Sequence, residues 1–379
     1  MRLPFLRTKS AAPAAGPRIP SGIPSWATPL MDDGGGYAGQ VQAAFLTNPV
    51  AARAIRMVTE GAGGAPVVTE PGDHPALALL ASCGFGASGP SLLETLAGHM
   101  LLHGNAYVDV AVGSDGLPAA LFALRPERVS IEVDGEGWPA AHVYRVGGAV
   151  RRYPVAAAAG GGLLHIRSFH PTDDHHGAGC LGAAASAVAV HNAATRWNKA
   201  LLDNAARPSG ALVYQPGDGS TLSPDQFQRL KSEMEAAFAG AANAGRPMLL
   251  EGGLSWQALS LSPAEMDFAG MREAAARDIA LALGVPPLLL GMKGDNTYAN
   301  YREANVALWR LTLLPLLTRL LGALAVHLQW WWPGLVLKVD RDAVPALSED
   351  RERLWAQVIA ADFLDGNEKR RILGLESGQ

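Results

Sequence analysis

Apolar positions recur at helical spacing from Asn48 to Val58, through Val50, Ala54, Met57 and Val58, and predict a helix that Gly61 to Gly64 ends. A short helix is expected over Pro75 to Ala81. Ser91-Leu92-Leu93-Glu94 reads as a capping box opening a helix to about His103, with Gly104-Asn105 as a tight turn after it. Short strand-like runs then follow: Ala106–Val112, Ala119–Leu124, Val129–Val133, Ala141–Val146 and Leu163–Arg167. Gly113-Ser114-Asp115-Gly116 has hairpin chemistry. This part reads as α+β, an antiparallel sheet on a helix.

From Gly182 to Ala206 the side chains are small over a helix about 37 Å long, which allows close approach of another helix. Arg207-Pro208-Ser209-Gly210 stops it, and Ala211–Tyr214 is a strand. Ser223-Pro224-Asp225-Gln226 is a second capping box, opening an amphipathic helix to about Ala241 whose charged face carries Arg229, Lys231, Glu233 and Glu235. Strands at Met248–Leu250 and Leu254–Leu261 and a third box at Ser262-Pro263-Ala264-Glu265 lead into a helix to Leu283. A small α/β module, 208–261, is thus expected between two long antiparallel helices. Pro286-Pro287 breaks the second, Gly291 to Asn300 is a polar loop, and a long apolar helix runs from Tyr301 to Leu328. Pro315 is expected to kink that helix, and Arg319 to find a carboxylate. A strand at Leu335–Val339, a helix capped by Ser348 to about Asp362 and a last one at Asn367–Leu373 complete the chain. Residues 1–37 are Pro/Gly/Ala-rich without periodicity and read as a disordered arm, not a signal peptide.

Composition adds one strong constraint. Of the 379 residues, 49% are hydrophobic and only 17% charged, against about 25% charged in a typical soluble domain. Subunit interfaces are the simplest cover for so apolar a surface. The formal net charge of −4 argues against a chain that grips nucleic acid by its phosphates, though not against DNA that passes without being held. Cys83 and Cys180 have no metal spacing and read as buried thiols in a reducing compartment.

Three other chemistries compete. Leu311–Leu328, followed by Trp330-Trp331-Trp332, has the apolarity of a membrane span, with Pro315 and Arg319 inside it; a membrane-associated protein anchored by 311–332 is one alternative. His170, Asp173, Asp174, His175 and His176 fall within one Gly/Pro-bounded loop, and a metal-dependent enzyme using 170–176 is another. Consecutive loop residues do not converge as ligands must, so a polar loop before a helix is the plainer reading. Gly84-Phe85-Gly86-Ala87-Ser88-Gly89 matches a dinucleotide fingerprint, but a helix end rather than a strand is expected before it. No phosphate-binding G-x-x-x-x-G-K-[ST] run occurs, and no nucleophile–base or paired-carboxylate spacing points to an enzyme; no cofactor is implied.

An ordered set of short runs resembles the portal proteins of tailed phages, in the branch associated with HK97-like capsids. They are His74-Pro75 with Leu79-Leu80, Leu101-Leu102-His103-Gly104-Asn105-Ala106-Tyr107-Val108, Leu124-Arg125-Pro126-Glu127-Arg128-Val129 and Pro208-Ser209-Gly210. Gly284-Val285-Pro286-Pro287-Leu288-Leu289-Leu290-Gly291, Thr297-Tyr298-Ala299-Asn300 with Glu303, Leu314-Pro315, and Asn367 to Leu375 continue the series. Each run is weak alone; their order over about 48–375 is specific. The Ala/Gly/Arg bias also resembles that of a prophage or gene transfer agent of a GC-rich bacterium.

The resemblance implies a portal fold and a ring, typically of twelve subunits, at one capsid vertex of a virion assembled in the bacterial cytoplasm. Double-stranded DNA would enter and leave through the channel. The terminase large subunit, which carries the ATPase, the head–tail adaptor and the major capsid protein would be partners, and no membrane would. The implied parts are an α/β wing (38–181), a stem helix (182–207), a small α/β clip (208–261), a second stem helix (262–284) and a tunnel-loop region (285–300). The long wing helix with its strand (301–340) and a short helical crown (341–379) complete the set. On this mapping Lys293, Asp295 and Asn296 face the DNA channel, and Arg229, Lys231 and Glu235 on the clip face partners.

Overall fold

A computed structural model describes residues 36–81, 89–155, 162–203, 210–214, 223–238, 254–258, 268–293 and 297–373. The expected arm up to residue 35, the glycine run at 84–88, the strand at 248–250 and the box at 262–265 lie outside them, while residues 36 and 37, also expected in the arm, open a helix. The described chain divides into two compact units, one built from Thr59–Gly179 with residues from Leu313 onward, the other from residues 36–58 with Cys180–Thr312.

In the first unit, helix α4 (Leu92–His103) begins where Ser91 Oγ accepts the Glu94 amide at 3.1 Å and ends at Gly104 in the left-handed region. It buries Leu92, Leu93, Leu96, Ala97, Met100 and Leu101. Strands β2 (Asn105–Val112), β3 (Pro118–Leu124) and β7 (Leu164–Arg167) form one antiparallel sheet in the order β3-β2-β7. Strands β4 (Val129–Val133), β5 (Pro139–Val146) and β6 (Ala149–Pro154) form a second, in sequence order. A cluster of Tyr107, Leu124, Val129, Tyr153 and Leu163 joins the two. Asp109 on β2 adds a polar tie, accepting from Arg151 at 2.7 Å and from the Tyr153 hydroxyl at 3.0 Å, both on β6.

Strand β1 (Val67–Glu70) pairs antiparallel with β10 (Val336–Val339), Val67 opposite Val339. Neither β1 nor β6 is expected from the sequence; β1 is only four residues long and mostly half-buried, and β6 is mostly exposed, so neither carries a clean alternation. Helix α3 (Ala76–Leu80) precedes the glycine run, where a dinucleotide fingerprint needs a strand.

Helix α2 (Pro49–Gly63) ends inside the expected glycine run. A Cβ on Gly63 would stand 2.9 Å from Glu94 Cβ and 3.0 Å from Ser91 Oγ, so the glycine that ends the helix also serves close packing. Asn105, by contrast, is no turn residue; it starts β2 and is fully buried. Ser348 does not cap its helix: α10 (Ser348–Ala360) starts from Leu347, and the Ser348 hydroxyl donates to the Pro345 carbonyl at 3.0 Å.

In the second unit, α5 (Cys180–Asp203) and α7 (Phe268–Ala282) lie side by side. Trp197, late in α5, stacks on Phe268 at the start of α7, with centroids 5.7 Å apart, so the pair is antiparallel as expected. Helix α1 (Gly36–Val41) and a π turn (Gln42–Leu46) rest on α5. Between α5 and α7 in sequence lie a two-stranded ribbon of β8 (Gly210–Tyr214) and β9 (Leu254–Ala258), and α6 (Pro224–Phe238).

Helix α8 (Tyr298–Leu308) continues through a π turn (Trp309–Leu313) into α9 (Leu314–Leu328). A kink is expected at Pro315; what the structure shows there is this π turn directly before it. A proline lacks an amide hydrogen and crowds the carbonyl four residues back, and a π turn just before it relieves both. Arg319 is exposed and pairs with no carboxylate among the described residues.

Candidate functional site

The loop before α8 is built from its base upward. Helix α7 ends at Gly284, whose φ of +67° reverses the chain. The Thr312 hydroxyl donates to the Gly284 carbonyl at 2.6 Å and fixes that reversal. Pro286 and Pro287 lead a 3₁₀ turn (Pro287–Leu290) that buries Leu289 and ends at left-handed Gly291. At Lys293 the chain is held again: Arg277 Nη2 donates to its carbonyl at 2.8 Å and to Glu273 Oε1 at 2.8 Å. Beyond residues 294–296, the Thr297 hydroxyl oxygen accepts the Asn300 amide at 3.2 Å and starts α8.

Lys293 is exposed, and no carboxylate of the described residues pairs with its ammonium. Asp295 and Asn296 lie outside the described residues. Sequence reasoning did not single out Arg277; its signal is the Glu273–Arg277 spacing of four on α7, the geometry of a helical ion pair.

Arg229 and Lys231 are exposed on α6, and Glu235 lies further along the same helix. The box at its start is present, with Ser223 Oγ accepting the Gln226 amide at 3.3 Å and Gln226 Oε1 accepting the Ser223 amide at 2.9 Å. Among the described residues no hydrogen bond or ion pair joins Arg229 or Lys231 to Lys293, so they are two separate features of one unit. Along α5 and α7 runs an open groove of about 580 Å³, lined by Ala183, Ala187, Val190, Met271, Ala274 and Leu281 among others.

The 170–176 loop uses its polar groups internally. Asp173 Oδ1 accepts the amides of His175 at 2.8 Å and His176 at 2.9 Å, while Oδ2 meets His176 Nδ1 at 3.2 Å. Burial pulls the Asp173 carboxyl up, but the two amides and the His176 ring outweigh it and hold it below its usual value. His170 Nδ1 accepts the Thr172 amide at 3.2 Å. Among the described residues no group of three or more His, Cys, Asp or Glu stands where it could hold a metal.

Behind this loop Asn105 is the hub. Its Oδ1 accepts the Gly177 amide at 2.7 Å and the His165 Nε2 hydrogen at 3.0 Å; its Nδ2 donates to the Gly177 carbonyl at 3.0 Å. The His165 ring stacks on Tyr107, with centroids 4.4 Å apart. Burial first, then the nearby His142, His176, Arg167 and His103, push His165 down to about 3. The hub is a set of neutral rings and amides that fastens loop to sheet.

The long helix Tyr298–Leu328 has 31 residues and a mean hydropathy of 1.7 in its most apolar window, enough by length and composition to cross a membrane. Only 39% of that window is buried within the chain. Tyr298 (84%), Leu311 (77%) and Val326 (70%) are among its exposed side chains.

The family model described as "Phage portal protein" matches residues 49–374. An uncharacterised protein of Rickettsia bellii is 37% identical over 347 residues, covering 88% of each chain. A solved structure described as the neck of a native gene transfer agent particle, computed with C12 symmetry, has a chain 46% identical to this one; it covers 90% of this chain and 93% of its own, with a TM-score of 0.69. An HK97-family phage portal protein from Corynebacterium diphtheriae, 18% identical, shares the fold, with a TM-score of 0.58 over 80% of this chain and 96% of its own.

Proposed function

The chain belongs to the phage portal protein family, and from that premise we propose that it forms a ring of twelve at one vertex of a capsid, through which double-stranded DNA is packaged and released. The observation that carries this is the 46% identity, over nearly the whole chain, to a protein in the neck of a gene transfer agent particle with C12 symmetry. The chain is structural in this reading, and ATP hydrolysis belongs to the terminase that docks on it.

The parts are assigned accordingly. Helices α5 and α7 are the stem, the ribbon β8–β9 with α6 is the clip, and the loop from Gly291 is the tunnel loop. The two sheets with α4 and the long helix form the wing, and α10 with α11 (Gly366–Ile372) is the crown. A DNA conduit must guide without holding, because many strong phosphate contacts would arrest movement. One exposed loop lysine per chain, Lys293, suits weak and repeated contact, since a ring multiplies it; Asp295 and Asn296 adjoin it in sequence. Arg229, Lys231 and Glu235 on the clip helix are the surface for the terminase and the head–tail adaptor, and the wing meets the major capsid protein.

Negative-stain imaging of the purified chain tests the ring: a particle with a central hole is expected, and a monomer or dimer overturns it. Deleting 292–298 should leave rings intact and lower the fraction of DNA-filled heads; normal filling sinks the channel reading of the loop.

A membrane-associated protein is the second reading, favoured by the apolar helix alone. Arg319 stands inside that segment, and an arginine at mid-span costs at least ~2.5 kcal/mol even on the most lenient scale. Binding of the chain to lipid vesicles, with no rings in detergent-free buffer, would favour this second reading.

A further inference from the structure

The loop from Gly291 is tied to helix α7 by one side chain. Arg277 stands one turn after Glu273, and its Nη2 donates to Glu273 Oε1 and to the Lys293 carbonyl, each at 2.8 Å. A guanidinium is planar, with N–H directions set by the fork rather than by rotation. With Glu273 holding one direction, the other points at the loop. The acceptor is backbone, so the tie fixes the path of the chain and leaves the Lys293 ammonium outside, exposed and without a carboxylate among the described residues. The loop's far end is fixed separately, by Thr297 capping α8. An ion pair as exposed as Glu273–Arg277, with side chains 40% and 45% accessible, adds little to folding stability. Its geometric consequence is the location of Lys293.

We propose that Arg277 is a positioning residue for the channel loop: by holding the Lys293 carbonyl against α7 it sets where the Lys293 ammonium meets the phosphate backbone of passing DNA. This rests on the reading of Lys293 as a channel residue. It also makes α7 the element whose movement the loop follows, because the tie runs from that helix to the chain one bond from the charged side chain.

Two measurements test it. Trypsin cuts after lysine, so R277A rings should be cleaved after Lys293 several-fold faster than wild-type rings, with R277K between them because an ammonium donates without a fixed fork. Unchanged cleavage overturns the tie. In particles assembled with the variant chain, K293A and R277A should each lower the DNA-filled fraction several-fold, and R277A should add nothing in a K293A background. Two residues acting through one contact behave non-additively, whereas a merely structural loss at Arg277 would add. Additive losses, or full DNA filling in R277A, overturn the positioning role while leaving Lys293 in the channel. Normal filling in K293A removes the channel reading itself, and the proposal with it.

Discussion

Asn105 has no exposed surface and sits where strand β2 leaves the Gly104 reversal. Removing its amide would strand the Gly177 amide, the Gly177 carbonyl and the His165 Nε2 hydrogen in a dry site. Each orphaned buried group costs about 1–3 kcal/mol. N105A is therefore expected to lower unfolding free energy by ~3 kcal/mol, read from the urea midpoint. Asn48 has a related task in the second unit. Its Oδ1 caps α2 through the Val50 and Ala51 amides, both at 3.0 Å, and its Nδ2 donates to His191 Nδ1 at 3.1 Å and Asn192 Oδ1 at 2.9 Å. N48A should cost ~2 kcal/mol, a cap plus orphaned partners.

The buried imidazoles make stability depend on pH. Burial first, with neighbouring positive groups after it, holds His165 at about 3 and His99 at about 4 in the folded chain, against 6.5 unfolded. Between these values the unfolded chain binds more protons than the folded one, so stability rises with pH. The chain should therefore be most stable above pH 6.5 and lose stability progressively as pH falls toward 3. Urea midpoints across that range check the slope, and H165Q should flatten it, since glutamine keeps a donor for Asn105 and does not titrate.

Elements were legible in the sequence where one local rule decided them. The run Val129–Val133 alternates and is β4 as expected, and Ser223-Pro224-Asp225-Gln226 caps α6 as its spacing says. A capping box of Asp365 and Glu368, which sequence reasoning did not single out, opens α11 one residue before the expected start. What could not be read locally depends on neighbours far along the chain. Gly63 ends α2 as the glycine run suggests, but its close packing on Ser91 and Glu94 is not visible locally. Strand β1 exists because β10, some 270 residues later, gives it a partner. Within the candidate site, the end of the helix near Leu283 and the break at Pro286-Pro287 were legible, but the hold of Gly284 by Thr312 and the tie from Arg277 to Lys293 were not, because both join separate elements. Gly284 gives an element-scale test. A side chain there would suffer the left-handed φ, at about 1–2 kcal/mol, and would stand 2.9 Å from Thr312 Oγ1. G284A should lower the thermal midpoint and speed proteolysis in the Gly291–Thr297 loop together, because one turn anchors both.

At the scale of the whole molecule, the long helix shows what the single chain lacks. A helix of 31 residues whose most apolar window has a mean hydropathy of 1.7 and is only 39% buried leaves apolar surface that water does not favour. In a ring, a heterologous interface repeats around a closed axis, and the same patch on every copy is covered by a different patch of the next. Leu311 and Val326, both more than two-thirds exposed, are the discriminating positions. On a free surface, L311E and V326E would change stability by within ~0.5 kcal/mol and nothing else. At a subunit interface each would place a carboxylate against apolar side chains, and twelve copies would do so at once in a C12 ring. Both variants should therefore fold with near wild-type circular dichroism and melting, yet sediment as monomers or broken arcs at concentrations where the wild type closes. Intact rings from both would move the interface to another face of the helix, and loss of vesicle binding in place of ring loss would favour the membrane reading.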